Sequence, residues 1–186
     1  GVTFQTQVTV GKDVSIDALV NDMDAVVLAI GSEMPRDLPV PGRSLGGIHF
    51  AMDFLRQQNK RNAGDAIALE EAISAHGKHV IVIGGGDTGS DCIGTAVRQG
   101  AASVRQLEIM PKAPEYIDPH ETWPHWPTIY RQSTSQEEGD ETRYQVLTTG
   151  FRGENGRVTH LSATEVNWII TPEGKQVFHP VEGGEF

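Results

Sequence analysis

At 186 residues, 38% of them hydrophobic and 22% charged, the chain has about one domain's length and enough apolar side chains for a core, which excludes disorder throughout. Its 25 Asp and Glu exceed its 15 Lys and Arg, a formal net charge of −10. With no basic run to offset that charge, neither a nucleic-acid grip nor a membrane-surface grip is expected.

Cys92 is the single cysteine, so an internal disulfide, a zinc ribbon and a cluster-ligand set are all excluded, and a reducing, cytoplasmic setting is expected. No apolar run approaches the ~18–20 residues of a spanning helix. There is no charged leader followed by an apolar stretch. Because the chain starts at Gly1 and not at a methionine, it is expected to be a piece of a longer protein.

In chain order, Val2, Phe4, Val8 and Val10 alternate with polar residues, which predicts a half-buried strand over Val2–Val10. A short helix is expected over Ser15–Asn21. A buried strand is expected in the run AVVLAIG that follows Asp24 and ends at Gly31. Pro35, Pro39, Pro41 and Gly42 mark an extended linker. Apolar Ile48, Ala51, Met52 and Leu55 recur at spacings of three and four, predicting an amphipathic helix over Ile48–Asn59. A second helix is predicted over Asp65–His76, with Asp65 as N-cap and Gly77 as its stop.

The run His79–Ile83 then reads as a strand, Gly84–Gly89 as a glycine turn, and the stretch to Gln99 as a helix closed by Gly100. Ser103–Met110 follows as a strand at the right distance for a parallel partner, so one βαβ unit is expected. Five prolines within Pro111–Pro127 predict a long irregular loop, and QEEGDE at Gln136–Glu141 reads as a solvated acidic loop. Arg143–Gly150, Arg157–Ile170 and Gln176–Phe178 read as strands of an antiparallel meander, separated by turns at Gly153–Gly156 and Pro172–Lys175.

The glycines Gly84, Gly86 and Gly89 satisfy GxGxxG directly after a predicted strand and at the opening of a predicted helix, the context in which that pattern binds a dinucleotide. Gly84 permits the tight turn, Gly86 lets the backbone approach a pyrophosphate, and Gly89 lets helix and strand pack closely. Gly85, Asp87 and Thr88 complete the turn, and the free N–H groups at the helix start attract an anion. Glu108 stands at the end of the next strand, where a carboxylate accepts from a ribose 2′-hydroxyl and repels a 2′-phosphate. This tilts the expected cofactor from NADPH toward NADH. Lys112 is a further candidate cofactor contact, and either it or Arg105 could offset that repulsion. Cys92 reads as a packing residue, and His120 and His125 around Trp123 match no metal pattern. No GxSxG elbow is present.

On these residues the chain resembles the small (beta) subunit of glutamate synthase and, more broadly, flavoproteins with two dinucleotide-binding domains. The stretch Gly77–Pro114, the WPHWP at Trp123–Pro127 and the segment Asp24–Leu55 carry the resemblance. It implies a Rossmann-like α/β NAD(P)-binding domain, with a parallel sheet and a small antiparallel meander, over residues 46–186. Residues 1–45 would be a remnant and linker of an FAD-binding domain, in which Ile30 and Gly31 approach FAD in the full-length protein. The resemblance further implies hydride delivery from NAD(P)H to FAD, relay through iron–sulfur clusters held elsewhere in the longer protein, and a large (alpha) subunit partner that makes glutamate from 2-oxoglutarate and glutamine. Glu108-Ile109-Met110 stands where NADPH-linked relatives carry an aromatic residue and two arginines. Positioning alone serves hydride transfer, so no catalytic side chain is expected here. The alternatives are the nucleotide domain of another flavoprotein electron-input module and a non-catalytic nucleotide-binding scaffold.

Overall fold

The computed structural model describes residues 1–31, 34–118, 120 and 128–186. The chain divides into two compact units, Gly1–Met34 and Pro35–Phe186.

In the first unit, helix α1 (Ile16–Asp22) is capped by Ser15, whose hydroxyl accepts from the Ala18 N–H at 3.1 Å. The two strands expected on either side are not formed. Val2–Val10 contributes only an isolated bridge between Val10 and Val14, and Phe4 is 85% exposed. The run before Gly31 is likewise irregular, with Val27, Leu28 and Ile30 exposed. A strand is a half-structure whose N–H and C=O groups need a neighbouring ladder, and the described residues of this unit supply none.

The second unit begins with the proline-rich segment, which is extended as expected and strapped to the meander: Phe151 N–H donates to Pro41 O at 2.8 Å and Val158 N–H to Gly46 O at 3.0 Å. Gly42 sits at φ +81°, where a β-carbon would run into the Phe151 carbonyl, so no side chain fits there. Helix α2 (Ala51–Asn62) follows and starts three residues later than the spacing predicted. The helix expected over Asp65–His76 is absent. Neighbouring helices satisfy that backbone instead. Gln57 accepts from Ile73 N–H at 2.9 Å and donates to Glu71 O at 2.9 Å, and Gln99 accepts from Ala75 N–H at 2.8 Å.

The βαβ unit is present. β1 (His79–Ile83), α3 (Asp87–Arg98) and β2 (Ser103–Leu107) are followed by the four-residue helix α4 (Thr134–Glu137) and β3 (Glu141–Arg143). β1 pairs in parallel with β2, in register from His79↔Ser103 to Ile83↔Leu107, and β2 pairs in parallel with β3. The core under this sheet is Ala75, Ile93, Ala96 and Val104, with Phe54, Val80 and Val82 packed on it. The acidic stretch is therefore not a plain loop. Ser133 caps α4 in a reciprocal box with Gln136, and Glu141 enters β3.

The strand predicted over Arg143–Gly150 is split. Arg143 ends the parallel sheet, Gln145 at φ +59° turns the chain, and β4 (Val146–Glu154) opens the meander. β4 pairs antiparallel with β5 (Arg157–Ile170), and β5 with β6 (Gln176–Glu185), so β6 runs well past the predicted Phe178. The β4–β5 loop is Asn155-Gly156, both at positive φ (51° and 75°), as a two-residue hairpin turn requires. Leu107, Val146 and Ala163 form a second small core joining the two sheets.

Candidate functional site

The glycine turn sits where β1 ends and α3 begins, and its four glycines have separable reasons to be glycine. Gly84 takes φ +114°, a region closed to side chains in practice. A β-carbon on Gly89 would lie 2.6 Å from the Gly84 carbonyl oxygen and 3.3 Å from Gln106 Nε2. One on Gly85 would strike the carboxylate of Glu108, with the Glu108 Cδ at 2.9 Å. Gly86 is different. It is the N-cap of α3 at φ −76°, ψ −179° with no side-chain cap bond, and an added β-carbon would meet nothing within 4 Å. Among the described residues, no protein atom apart from its chain neighbours comes within 4 Å of that position.

That space fronts the N-terminus of a 12-residue helix. The first N–H groups of such a helix have no intrahelical acceptor, and its dipole favours an anion there. Asp87 and Thr88, the first residues of α3, are exposed. The first intrahelical bond, Ser90 N–H to Gly86 O at 3.0 Å, fixes the helix start.

Gln106 holds the turn in place. It is 1% exposed, donates through Nε2 to Gly84 O at 2.8 Å, and accepts from the Thr142 hydroxyl at 3.1 Å. The Gly84 N–H donates in turn to Leu107 O at 2.9 Å. Sequence reasoning missed this residue. The signal available was a lone amide at an inward position of the strand SVRQL.

The half-buried side chain of Glu108 lies over Gly85, and its Oε1 accepts from Met110 N–H at 2.8 Å. Neither suggested cation neutralises it. Lys112 pairs with Glu115 at 3.7 Å and stacks 4.2 Å above the Tyr130 ring, and Arg105 pairs with Glu141 at 3.8 Å. The structure thus joins Gly84–Gly89 with Glu108 and turns Lys112 toward its own loop. Beside them the Tyr144 phenol is pushed up to about 12, chiefly by burial and by its hydrogen bond with Tyr130, with the Glu108 charge adding. Trp168 of β5 ties the segment after Glu108 to the meander by donating to Ile109 O at 2.7 Å, a second support that the sequence did not signal.

Ile30 and Gly31 belong to the first unit, where Ile30 is 84% exposed and Gly31 takes φ +66°. Cys92 packs inside α3 with its thiol raised to about 11 by burial and the neighbouring Asp91, as a packing residue should. Glu121, Trp123, His125 and the rest of WPHWP lie outside the described residues. No helix among the described residues is long and apolar enough to cross a membrane.

Residues 2–124 match the family described as pyridine nucleotide-disulphide oxidoreductase. The chain belongs to that family. Over its whole length it is 47% identical to the glutamate synthase (NADPH) small chain of Mycobacterium tuberculosis, of which it spans 38%. It is 42% identical to the glutamate synthase (NADH) of Schizosaccharomyces pombe, of which it spans 9%. Glutamate synthase small chains are therefore its homologues, and it covers well under half of each of these two proteins. In fold it is similar to FprA from Mycobacterium tuberculosis, solved in complex with NADPH, with a TM-score of 0.56 at 17% identity over 96% of this chain and 51% of that one. The mixed α/β architecture is that of FAD- and NAD(P)-binding reductases.

Proposed function

We propose that this chain is the NAD(P)H-binding part of a glutamate synthase small subunit, with residues 46–186 as the nucleotide domain and residues 1–45 as part of an FAD-binding domain. One observation carries the nucleotide reading: Gly86 leaves open space at a helix N-terminus, beside a turn anchored by Gln106 and by the Gly84–Leu107 backbone bond. In this reading the backbone from Gly84 to Gly89, including Gly85, Asp87 and Thr88, receives the pyrophosphate at the start of α3. Glu108 accepts from the adenosine ribose hydroxyls, while Lys112 stays engaged with Glu115 and the Tyr130 ring. Because Glu108 is left without a cation from Lys112 or Arg105, a 2′-phosphate is disfavoured and NADH is the better ligand. The relatives named above include both an NADPH and an NADH enzyme, so the carboxylate carries this preference.

A reduced nicotinamide held here would supply hydride to an FAD of the longer protein, for which the exposed Ile30–Gly31 segment of the first unit is the candidate contact. By the same reading, electrons would go on through iron–sulfur clusters outside these 186 residues to a large subunit that forms glutamate from 2-oxoglutarate and glutamine. The chain's own part is positioning: it binds and orients, and no side-chain acid or base is required. The setting is cytoplasmic, without nucleic acid or membrane as partner.

The test is rapid-mixing reduction of flavin in the full-length protein by NADH and by NADPH, in the native sequence and with Gly86→Val. The reading requires flavin bleaching that saturates with nucleotide and is lost in the variant while bound flavin is retained. Undiminished bleaching in the variant would refute it.

A further inference from the structure

Helix α4 is four residues long and none of them is buried, so apolar packing does not account for its place. Polar contacts do. A β-carbon added to Gly94 of α3 would come within 2.8 Å of Ser135 Oγ, which shows how closely α4 lies on α3. Arg98, the last residue of α3, pairs with Glu138 at 2.6 Å just beyond α4. At the other end of this contact stands Ser133, the N-cap of α4. Its hydroxyl is hydrogen-bonded to the hydroxyl of Ser90, 43 residues away in sequence.

Ser90 is the residue whose backbone starts α3: its N–H donates to Gly86 O at 3.0 Å, and the residue is 6% exposed. Ser133 is held in turn by Gln136. Its Oγ accepts from the Gln136 N–H at 3.2 Å, and its own N–H donates to Gln136 Oε1 at 3.0 Å. The Gln136 side chain also donates to Gln106 Oε1 at 3.5 Å, and Gln106 holds the Gly84 carbonyl. One capping box therefore touches both sides of the glycine turn, the helix side through Ser90 and the strand side through Gln106. A cap that served α4 alone would be complete with the two Gln136 bonds.

We infer that Ser133 is a positioning residue for the dinucleotide. Acting through Ser90, it holds the first turn of α3 with its N–H groups set for the pyrophosphate before the ligand arrives, which lowers the ordering cost of binding. The inference rests on the nucleotide reading above and adds a determinant of affinity that lies outside Gly84–Glu108.

The test uses the full-length protein, with flavin reduction by NADH in rapid mixing and hydrogen exchange over Gly84–Ile93 without nucleotide. Four variants are compared with the native sequence. Ser133→Gly removes the hydroxyl at an exposed position while leaving a competent N-cap, so the fold is kept. Ser133→Thr retains the hydroxyl, Arg98→Gln loosens the same helix pair at its far end, and Gly86→Val closes the nucleotide space. In Ser133→Gly the NADH concentration for half-maximal bleaching should rise about threefold to tenfold, with the limiting rate unchanged. The first turn of α3 should exchange faster. Ser133→Thr should restore both readouts, and Arg98→Gln should alter neither. Half-saturation or first-turn exchange unchanged in Ser133→Gly, no recovery in Ser133→Thr, or an equal effect of Arg98→Gln would overturn the inference alone. Native bleaching that does not saturate, or that survives Gly86→Val, would refute the nucleotide reading and the inference with it.

Discussion

Replacing Gln106 with leucine keeps the volume of the side chain and deletes its polar end. Three contacts go: the donor to Gly84 O at 2.8 Å, the acceptor of the Thr142 hydroxyl at 3.1 Å and the longer acceptor of Gln136 Nε2 at 3.5 Å. Gln106 itself is 1% exposed, so each close partner left without it costs about 1–3 kcal/mol. The two close partners together make about 2–6 kcal/mol. At roughly 2–4 °C per kcal/mol for a chain of this size, the thermal unfolding midpoint followed by circular dichroism should fall by roughly 4–24 °C. Nucleotide binding should weaken more than a remote destabilising change would cause, because the Gly84 turn is then ordered only on binding. Freezing about one residue costs about 1–2 kcal/mol, close to a tenfold loss in affinity, measurable by fluorescence titration with NADH well below the new midpoint. A variant within about 0.5 kcal/mol of the native stability and with unchanged affinity would show that Gln106 does not hold the turn.

Other outcomes follow from the same geometry. Gly85→Ala should destabilise by about 1–3 kcal/mol as an overpacked site when Glu108 is present. In a Glu108→Ala background it should cost close to nothing, a coupling that a double-mutant cycle by urea unfolding reads directly. Glu108→Ala should also raise affinity for NADPH relative to NADH, and an unchanged ratio in paired titrations would remove Glu108 from cofactor choice. Cys92, with its thiol near 11, holds about one thiolate per thousand at pH 8; alkylation by iodoacetamide should be slow in the folded chain and quicken on adding denaturant. Because the folded pKa of Cys92 lies above its unfolded value of 9.0, the neutral thiol is what the fold stabilises. That contribution is complete below about pH 9 and is lost as pH rises toward 11. Chemical unfolding across pH 8–11 should show the decline, and Cys92→Ala should flatten part of it.

The legible parts were those whose cause is local. The strand, turn and helix from His79 to Gln99 announce themselves through apolar run, positive-φ glycine and helix start, and the Asn155-Gly156 hairpin is dictated by two residues that accept φ > 0. What could not be read depends on partners distant in sequence. The Val2–Val10 alternation is genuine, yet without a ladder it forms no strand. Asp65–His76 has a helical pattern, but Gln57 and Gln99 supply its backbone bonds from other helices. β3 is three residues long, too short to show a period. The site divided the same way: the glycine pattern and Glu108 were visible, whereas the Gln106 anchor and the contact between Glu108 and Gly85 exist only once β2 lies beside β1.

The central claim is that the space left by Gly86 receives a dinucleotide. It is tested most directly by calorimetric titration of this chain with NADH and NADPH, in the native sequence and as Gly86→Val. The Gly86 backbone lies at φ −76°, and a β-carbon added there meets nothing within 4 Å, so the variant is expected to fold with no more than the modest cost of a poorer N-cap. Saturable binding by the native chain, tighter for NADH and abolished in the folded variant, is the predicted result; equal binding by the two proteins would contradict it.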